Sequence, residues 1–365
     1  MSNMLDYIAW RGDLSFTEVP LNEVDGLILA QLAMMRWEQA YTGAERLREL
    51  AARMTQYPVS TGFTGENDRK LIAAVGASAR FGELTLSDYV HETDAEAEKQ
   101  FAAITLHLPD GALYIAFRGT DATLVGWKED CAMAFSRPVP AQEEAVRYLT
   151  AVAAQYTGTL YVGGHSKGGN LAMFAATGVE DDVRARIVTV FNYDGPGLSD
   201  RMDAASLYAR IAGRLRSFVP QGSVVGLLLA HPDEYTVVES VFVSVFQHDP
   251  YSWQVMGPAF LRLPALSAAS QRFDLVFRQW LRTVDEQDRM ELVETLFSVL
   301  SATNARSFGR EFWAGLAKNP VAVYSAFSGV DPATRARVLK MIAELGRLAI
   351  VRPPEEQPKL SESQT

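Results

Sequence analysis

Apolar residues recur with two different periods along the chain. Over residues 21–50 they follow the spacing of an amphipathic helix, as in VDGLILAQLAMMRW, and a second helical segment follows near residues 67–76. From Gly82 the period shortens to that of strands, in FGELTLSDYVHETD and FAAITLHLPDGALYIAFRGT. The second of these segments contains a Pro-Asp-Gly turn at residues 109–111, which predicts two strands joined as a hairpin.

Farther along the chain, helical and strand patterns alternate. A helix over residues 143–156 precedes a strand over residues 160–164 and a helix that begins at Ser166. Three further strands are predicted within RIVTVFNYDGPG, GRLRSFVPQGSVVG and YTVVESVFVSVFQHD, the last with strong β-branched content. Strands that alternate with helices indicate an α/β fold with a mainly parallel sheet covered on both faces.

Beyond about residue 267 the strand pattern disappears. Four amphipathic helical patterns follow, in FDLVFRQWLRTV, MELVETLFSVLSA, FGREFWAGLA and ATRARVLKMIAELGRLAI, and the tail VRPPEEQPKLSESQT is polar and proline-rich. We therefore predict an N-terminal helical segment packed on the core (residues 1–80), an α/β core (81–266), a C-terminal helical subdomain (267–350) and a disordered tail (351–365).

Charge and composition argue against several classes of function. The 365 residues include 34 Lys and Arg against 44 Asp and Glu, a formal net charge of −10. Nucleic acid is bound mainly through Lys and Arg at phosphates, so this acidic chain is not expected to bind it, nor to be attracted to anionic lipid. Cys131 is the single cysteine and cannot form an internal disulfide, which favours a reducing compartment. The N-terminus lacks the basic flank of a signal peptide, and the run SVVGLLLA is too short to span a bilayer. We expect a cytoplasmic protein without a transmembrane segment.

A serine between glycines is the strongest candidate for chemistry. Gly164 and Gly168 flank Ser166 in the order G-x-S-x-G, after a predicted buried strand and before a predicted helix. This context is that of a nucleophile elbow, in which a strained turn presents the serine hydroxyl. The alternative is an ordinary serine in a tight strand-to-helix connection. The sequence contains no metal-binding cluster and no cofactor motif, so we expect a site without cofactor or metal.

Five histidines are candidates for the base that a serine nucleophile needs at neutral pH. In the hydrolase order the base follows the serine, which excludes His91 and His107, and His165 adjoins the serine and is expected to point away from its hydroxyl. His231 and His248 remain. We prefer His248 because it lies just past the predicted last strand, where open α/β sheets place their ligands. Its alternative role is that of a turn histidine.

Several carboxylates compete for the role of the acid that orients the histidine. Asp194 in FNYDGPG stands at the carboxyl end of the strand after the elbow helix, and its alternative role is that of a turn former. Asp233 and Glu234 occupy the loop after the next strand, the commoner location for this acid. Asp249 is too close to the histidine along the chain. We select Asp194, with Asp233 as the alternative acid.

An oxyanion hole needs two backbone amides, one from the residue after the serine and one from an earlier loop. Lys167 follows the serine and provides the first. Thr120, in IAFRGTDATLVGWKED, follows a predicted buried strand and is the candidate for the second. The alternative for this segment is an ordinary strand-to-loop exit.

The segments IAFRGT, GWKED and GGHSKGG resemble the class 3 lipases, which carry a similar Phe-Arg-Gly-Thr/Ser loop, a Trp-x-x-Asp element and a Gly-His-Ser-x-Gly elbow. The resemblance covers residues 81–250. It implies that Ser166 is the nucleophile and that Thr120 and Lys167 form the oxyanion hole. The residues for which it implies structural support are Trp127 and Asp130.

Nearly the whole chain is also similar to a bacterial family of lipase-like α/β-hydrolases of unknown function. Six segments agree in order: LDYIAWRGDLSF, LNEVDGLILAQL, GHSKGGNLA, DGPG, VPQGSVVGLLLAHPDEYTVV and QHDPYSWQV. This similarity implies an α/β-hydrolase fold and an active site, but it implies no particular substrate.

Two departures from the class 3 lipases bear on mechanism and substrate. Their acid follows a strand that corresponds to RSFVPQGSVV, which has no carboxylate here; this moves the acid to Asp194, a position that resembles that of pancreatic-type lipases. Lys167 is charged where lipases more often have an apolar residue, which argues against a triglyceride site. A cation there favours an anionic substrate unless the lysine is exposed or ion-paired.

The leading hypothesis is a serine hydrolase for a carboxylic ester, including lipid acyl esters, with Ser166 as nucleophile, His248 as base and Asp194 as orienting acid. One alternative is a catalytically silent interaction protein on a hydrolase scaffold, suggested by the missing carboxylate. Another is an acyltransferase. The C-terminal helices or those of residues 21–50 are candidates to cover the site, and the C-terminal helices are also the candidate surface for a homo-oligomer or a protein partner.

Overall fold

The computed structural model shows the architecture of most of the chain. The residues it describes are 2–60, 64–94, 96–97, 99–120, 129, 133, 138–199, 202–232, 234–285, 288–289, 291–292, 295 and 327–350. The predicted helix FGREFWAGLA, most of MELVETLFSVLSA and the predicted disordered tail therefore lie outside the described residues.

A mixed nine-stranded sheet forms the centre of the described part of the chain. Its strands, in order across the sheet, are β1 (Glu45–Arg46), β2 (Thr85–Asp94), β3 (Lys99–His107), β4 (Leu113–Phe117), β5 (Leu160–His165), β6 (Ile187–Tyr193), β7 (Leu215–Pro220), β8 (Thr236–Val238) and β11 (Arg262–Leu263). The pairs from β4 to β8 are parallel, whereas β1 to β4 and the β8–β11 pair are antiparallel. The predicted hairpin between β3 and β4 is confirmed. A small separate hairpin joins β9 (Val255–Met256) and β10 (Ala259–Phe260).

Helices cover both faces of this sheet, which confirms the predicted α/β architecture and is consistent with an α/β-hydrolase-like fold. One buried apolar cluster combines N-terminal helices with Tyr114 and Phe191, and a second combines the helices Pro140–Gln155 and Lys167–Gly178 with Ile115 and Val162 on the other face. The helices are α1 (Met4–Arg11), α2 (Glu23–Leu32), α3 (Leu47–Met54), α4 (Gly65–Ala77), α5 (Ala79–Gly82), α6 (Pro140–Gln155), α7 (Lys167–Gly178), α8 (Asp181–Arg186), α9 (Ala204–Ile211), α10 (Ala268–Thr283) and α11 (Pro332–Ile350).

Polar side chains set the start and the packing of the N-terminal helices. Asn3 and Asn22 each begin a helix through a capping box, so that early amides of α1 and α2 have side-chain acceptors. In the second box the reciprocal carboxylate is Asp25, which is fully buried and also accepts from Arg80 Nε at 2.7 Å and Nη2 at 2.6 Å. This two-point ion pair joins α2 to α5 in the interior of the N-terminal helical region.

The helical pattern over residues 21–50 corresponds to two helices rather than one. Between α2 and α3 the chain forms a 3₁₀ turn (Trp37–Gln39) and then the edge strand β1, which pairs with β2. Gly43, with φ of +149°, stands in the connection, in a region of backbone conformation that favours glycine. Pairing with the sheet therefore interrupts the helical period.

The predicted last strand ends much earlier than its β-branched residues indicated. Strand β8 stops at Val238, and the backbone then pairs with a later segment: Gln254 N donates to Glu239 O at 2.8 Å and Val241 N donates to Ser252 O at 3.0 Å. The rest of the apolar run forms a loop and a 3₁₀ turn (Ser244–His248). The free strand edge of β8 is occupied by β11 instead.

The C-terminal helices α10 and α11 pack on each other through a small apolar cluster that includes Val276, Trp280 and Val338. Ser270 of α10 also donates through its hydroxyl to the carbonyl of Ser223, which links this pair to the core. The limits of the four predicted regions stay predictions. None of the helices in the described residues has the length and apolarity needed to cross a membrane.

Candidate functional site

The turn between β5 and α7 is a strained elbow that holds Ser166. The serine has φ of +59° and ψ of −134°, a conformation that L-residues rarely adopt, and its hydroxyl-bearing side chain is half-buried. A Cβ on Gly164 would lie 2.2 Å from the carbonyl carbon of Gly168, and one on Gly168 would lie 2.1 Å from the carbonyl oxygen of Phe117. Both glycines are therefore required sterically, because β4, β5 and α7 approach one another at this turn.

Asp194 and His248 are brought together beside this elbow. His248 Nδ1 lies 2.7 Å from Asp194 Oδ2, and the Asp194 side chain is fully buried whereas that of His248 is 25% exposed. Asp194 directly follows β6, the strand next to β5, and Ser166 N donates to the carbonyl of Tyr193 at 2.9 Å. A Cβ on Gly195 would lie 2.4 Å from the carbonyl oxygen of Ser166. The carboxylate and the elbow therefore share one edge of the sheet.

The second oxygen of Asp194 is held by donors from the segment after β7. Its Oδ1 accepts from the hydroxyl of Ser223 and from the amide of Gly226 at 3.1 Å. With both of those groups donating, Oδ2 is the oxygen left to face His248. A carboxylate accepts only, so the imidazole presents Nδ1–H to Asp194 and has Nε2 as its acceptor nitrogen when neutral.

A second imidazole, that of His165, supports the His248 ring. The two rings are stacked with centroids 4.6 Å apart and planes 29° apart, and His165 Nε2 lies 2.9 Å from the His248 carbonyl oxygen. Burial lowers the pKa of His165 well below its usual value, and the positive charge of a protonated His248 lowers it further. His165 is therefore neutral and donates its Nε2–H to that carbonyl.

We expect this buried neutral histidine to make stability depend on pH. Below about pH 6.5 the unfolded chain binds a proton at His165 that the native state does not, so the free energy of unfolding falls as the pH falls. Between about pH 6.5 and pH 5 the wild type is expected to lose on average about 1 kcal/mol more per pH unit than His165→Gln, with the slope steepening toward the lower pH. Urea denaturation of both proteins across this range measures the difference. Equal slopes would contradict a neutral, buried His165.

The end of β4 brings Thr120 next to the elbow. A Cβ on Gly119 would lie 3.3 Å from Ser166 Cβ, which places this backbone against the serine. Arg118 is buried and its Nε donates to the carbonyl of Ala33 at 2.8 Å, so the segment is fixed against the end of α2. Thr120 itself is half-buried. The candidate oxyanion residue Thr120 therefore directly follows the backbone that contacts Ser166, just past the end of β4.

The side chain of Lys167 points into the protein interior. Its Nζ lies 2.6 Å from Glu129 Oε2 and donates to Gln100 O at 2.8 Å and Gln100 Oε1 at 3.1 Å, and both charged side chains are fully buried. Glu129 accepts further from the amides of Gln100 and Ala141. Of the alternatives for this lysine, the structure shows the ion pair. The positive charge of Lys167 is neutralised by Glu129 in the interior, so this side chain gives no reason to expect an anionic substrate or to exclude a triglyceride.

Removing this lysine is expected to destabilise the protein strongly. Lys167→Met leaves Glu129 buried without its cation, and breaking a buried pair typically costs about 3–5 kcal/mol in the free energy of unfolding. Lys99→Met is a matched control, because Lys99 lies on the same strand as Gln100 and pairs with Glu92 near the surface; its loss should cost below about 1 kcal/mol. Chemical denaturation compares the two variants. Similar, small losses would contradict the importance of the buried pair.

Other residues considered from the sequence lie elsewhere. His231 contacts α10 instead of the elbow: its Nε2 lies 3.4 Å from Asp274 Oδ1 and is also contacted by Arg278. The alternative acid Asp233 lies outside the described residues. So do the two residues expected to give structural support, Trp127 and Asp130.

Sequence reasoning missed the residues that hold the candidate site in place. Ser223 follows β7, the position where the class 3 lipases were expected to carry the acid, and here it supplies a hydroxyl to Asp194. A polar residue at the carboxyl end of the strand next to β6 was an available signal. His165 was considered only as a base, and Glu129 gave no signal because its partner Lys167 is 38 residues away.

Among the described residues, no group of three or more His, Cys, Asp or Glu could hold a metal ion.

Comparisons with known proteins place these residues in a family. The solved Rhizomucor miehei lipase propeptide complex is similar at 15% identity over 74% of this chain and 88% of that chain, with a TM-score of 0.35. No curated protein matches the chain. A family model described as Mbeg1-like matches residues 75–298, more than half of the chain and a span that includes Ser166, Asp194 and His248. The chain therefore belongs to the Mbeg1-like family, which is lipase-like and so suggests a hydrolase.

Proposed function

We propose that this protein is a serine hydrolase that cleaves carboxylic esters, with Ser166 as nucleophile, His248 as general base and Asp194 as the acid that orients it. The observation that carries the proposal is the 2.7 Å hydrogen bond between His248 Nδ1 and the buried Asp194, at the sheet edge where Ser166 occupies its strained turn. The proposal is supported because these three residues are of the types that a catalytic triad needs and follow one another in the chain order of the α/β-hydrolases.

The proposed first step is acylation of Ser166. Its oxygen attacks the ester carbonyl, and His248 Nε2 takes the hydroxyl proton while Nδ1–H remains bonded to Asp194. The carbonyl oxygen becomes an oxyanion, which accepts from the backbone amides of Thr120 and Lys167. Collapse of the tetrahedral intermediate breaks the bond to the alkoxy leaving group, which receives the proton from His248. An acyl-enzyme and an alcohol result.

The proposed second step returns the enzyme to its starting state. His248 Nε2 removes a proton from water, whose oxygen attacks the acyl carbonyl of the Ser166 ester. The same two amides stabilise the second oxyanion, and the proton then passes from His248 to the serine oxygen as the carboxylic acid leaves. In this cycle the role of Asp194 is electrostatic and orienting, because it stabilises the imidazolium without itself taking the proton.

A catalytically silent scaffold was suggested by the absence of a carboxylate after β7. In the structure the carboxylate after β6, that of Asp194, contacts His248 instead. The segment after β7 contributes Ser223, whose hydroxyl donates to Asp194. Acyl transfer uses the same first step and differs only in the nucleophile that resolves the acyl-enzyme. Hydrolysis is the simpler proposal, since water needs no second binding site.

The test is hydrolysis of short p-nitrophenyl acyl esters by the wild type and by Ser166→Ala. Loss of the nucleophile is expected to lower kcat by about 10⁶-fold, to the background of the remaining site. Ser206→Ala is the matched control, because Ser206 is an exposed serine on α9 and its removal should leave the rate unchanged. Equal rates for Ser166→Ala and the wild type, with both proteins folded, would refute the proposal.

A further inference from the structure

An exposed apolar loop lies immediately before the proposed base. In residues 241–246, which we call the apolar loop, the exposed fractions are 45% for Val241, 46% for Phe242, 72% for Val243 and 69% for Phe246. Single exposed apolar residues are ordinary, but four within six positions form a patch of the kind that marks an interaction site. The sequence pattern predicts a strand for these residues, whereas the structure ends β8 at Val238.

The backbone beneath these side chains is held in place by hydrogen bonds. Gln247 accepts from the amide of Gly222 at 2.6 Å and donates to the carbonyl of Phe242 at 2.9 Å, and its own carbonyl accepts from Trp253 Nε1 at 2.8 Å. Val241 N also donates to Ser252 O. The loop therefore presents its apolar side chains from a tied backbone, which lowers the ordering cost of binding.

The apolar loop is continuous with the candidate active site. Phe246 stands two residues before His248, and both belong to the 3₁₀ turn Ser244–His248. The backbone carbonyl of His248 is in turn bonded to His165 beside the nucleophile. A ligand that covers the loop therefore contacts the element that carries the proposed base.

The charge of this region selects among apolar partners. No residue from Ser240 to Gln247 is charged; the acidic Glu239 precedes this stretch, and His248 and the acidic Asp249 follow it. The chain as a whole has a net charge of −10. An anionic membrane attracts proteins through clusters of Lys and Arg, which this loop lacks. The chemistry therefore fits an uncharged or zwitterionic apolar surface.

We propose that the apolar loop seats the protein on a neutral or zwitterionic lipid surface, so that the ester reaching Ser166 is the acyl ester of an aggregated lipid. The proposal rests on the proposed function for the ester chemistry and adds the class of substrate to it. The phenylalanines insert among acyl chains, while Glu239 just before the loop stays at the level of the zwitterionic head groups. Neutralisation of Lys167 by Glu129 removes the earlier objection to such a substrate.

Flotation with phosphatidylcholine vesicles tests the surface separately from catalysis. The full chain is used as Ser166→Ala, so that no lipid is hydrolysed, and is compared with Phe242→Ser/Phe246→Ser in the same background. We expect the parent to float with the vesicles and the partition coefficient to fall by about tenfold for each phenylalanine removed. Val188→Ser is the matched control. Val188 is 46% exposed near the start of β6, and the candidate site lies beyond the opposite end of that strand, where Asp194 follows it. This change should leave binding unaltered.

Three flotation results would overturn the proposal: no flotation of the parent, equal flotation of the double variant and the parent, or flotation that requires added phosphatidylserine. A fourth contrary result is a parent that is dimeric and binds no lipid, together with a double variant that is monomeric. The last would assign the loop to a second copy of the chain, and light scattering detects it. Circular dichroism checks that the double variant is folded. Because binding is measured without catalysis, vesicle binding with no Ser166-dependent hydrolysis would refute the proposed function alone.

Discussion

Replacing Asp194 by asparagine is expected to lower kcat/KM for a short acyl ester by about 10⁴-fold with little loss of fold. The physical reason lies in the donors around this side chain. Ser223 and Gly226 both donate to Oδ1, so the carbonyl oxygen of the asparagine stays on their side and its NH₂ group faces His248 Nδ1. The imidazole then carries its proton on Nε2, where it cannot accept the proton of Ser166.

The controls for this variant separate the two carboxylates considered for the acid. Asp233→Asn should retain nearly full activity, and Asp194→Asn should melt within a few degrees of the wild type, since the side chains have the same shape. Ester hydrolysis under saturating and limiting substrate gives kcat and KM separately, and KM should change little because Asp194 is not expected to touch substrate. Loss of activity in Asp233→Asn together with an active Asp194→Asn would assign the acid to Asp233.

His248→Ala is expected to have the larger effect, a loss of about 10⁶-fold in kcat, similar to loss of the serine itself. Without an imidazole at this position, no general base takes the proton of Ser166, and no acid protonates the leaving alkoxide. Because the three groups act as a unit, the double variant Ser166→Ala/His248→Ala should be no slower than either single variant.

The matched control is His231→Ala, which removes a histidine at the contact with α10. Its activity should stay within a few fold of the wild type, whatever it does to stability. If His231→Ala abolished hydrolysis while His248→Ala retained it, the assignment of the base would be wrong.

The sequence predicted those parts of the fold and candidate site that depend on local patterns and chain order. Strands β3 to β7 and the helices around them follow from periodicity, and the elbow follows from two glycines whose steric need is local. Asp194 and His248 were selected from their places after strands, and the structure brings them within hydrogen-bond distance. Their roles in a reaction stay predictions.

What the sequence did not predict depends on contacts between distant segments. The apolar run after β8 has the composition of a strand, but its backbone pairs with residues 252–254, which leaves the side chains of Phe242 and Phe246 exposed. The direction of the Lys167 side chain was equally undecidable, because it is set by Glu129 on a segment far along the chain. In both cases the structure depends on a partner that is distant in the sequence: Glu129 for the lysine, and residues 252–254 for the segment after β8.

The measurement that tests the central claim most directly is covalent labelling by a fluorophosphonate probe, followed by peptide mapping. We predict a single adduct on Ser166 in the wild type, none in Ser166→Ala, and strongly slowed labelling in His248→Ala, because the probe reacts only with an activated serine. A folded wild type that remains unlabelled, or an adduct on another serine, would contradict the claim that Ser166 is a nucleophile activated by His248.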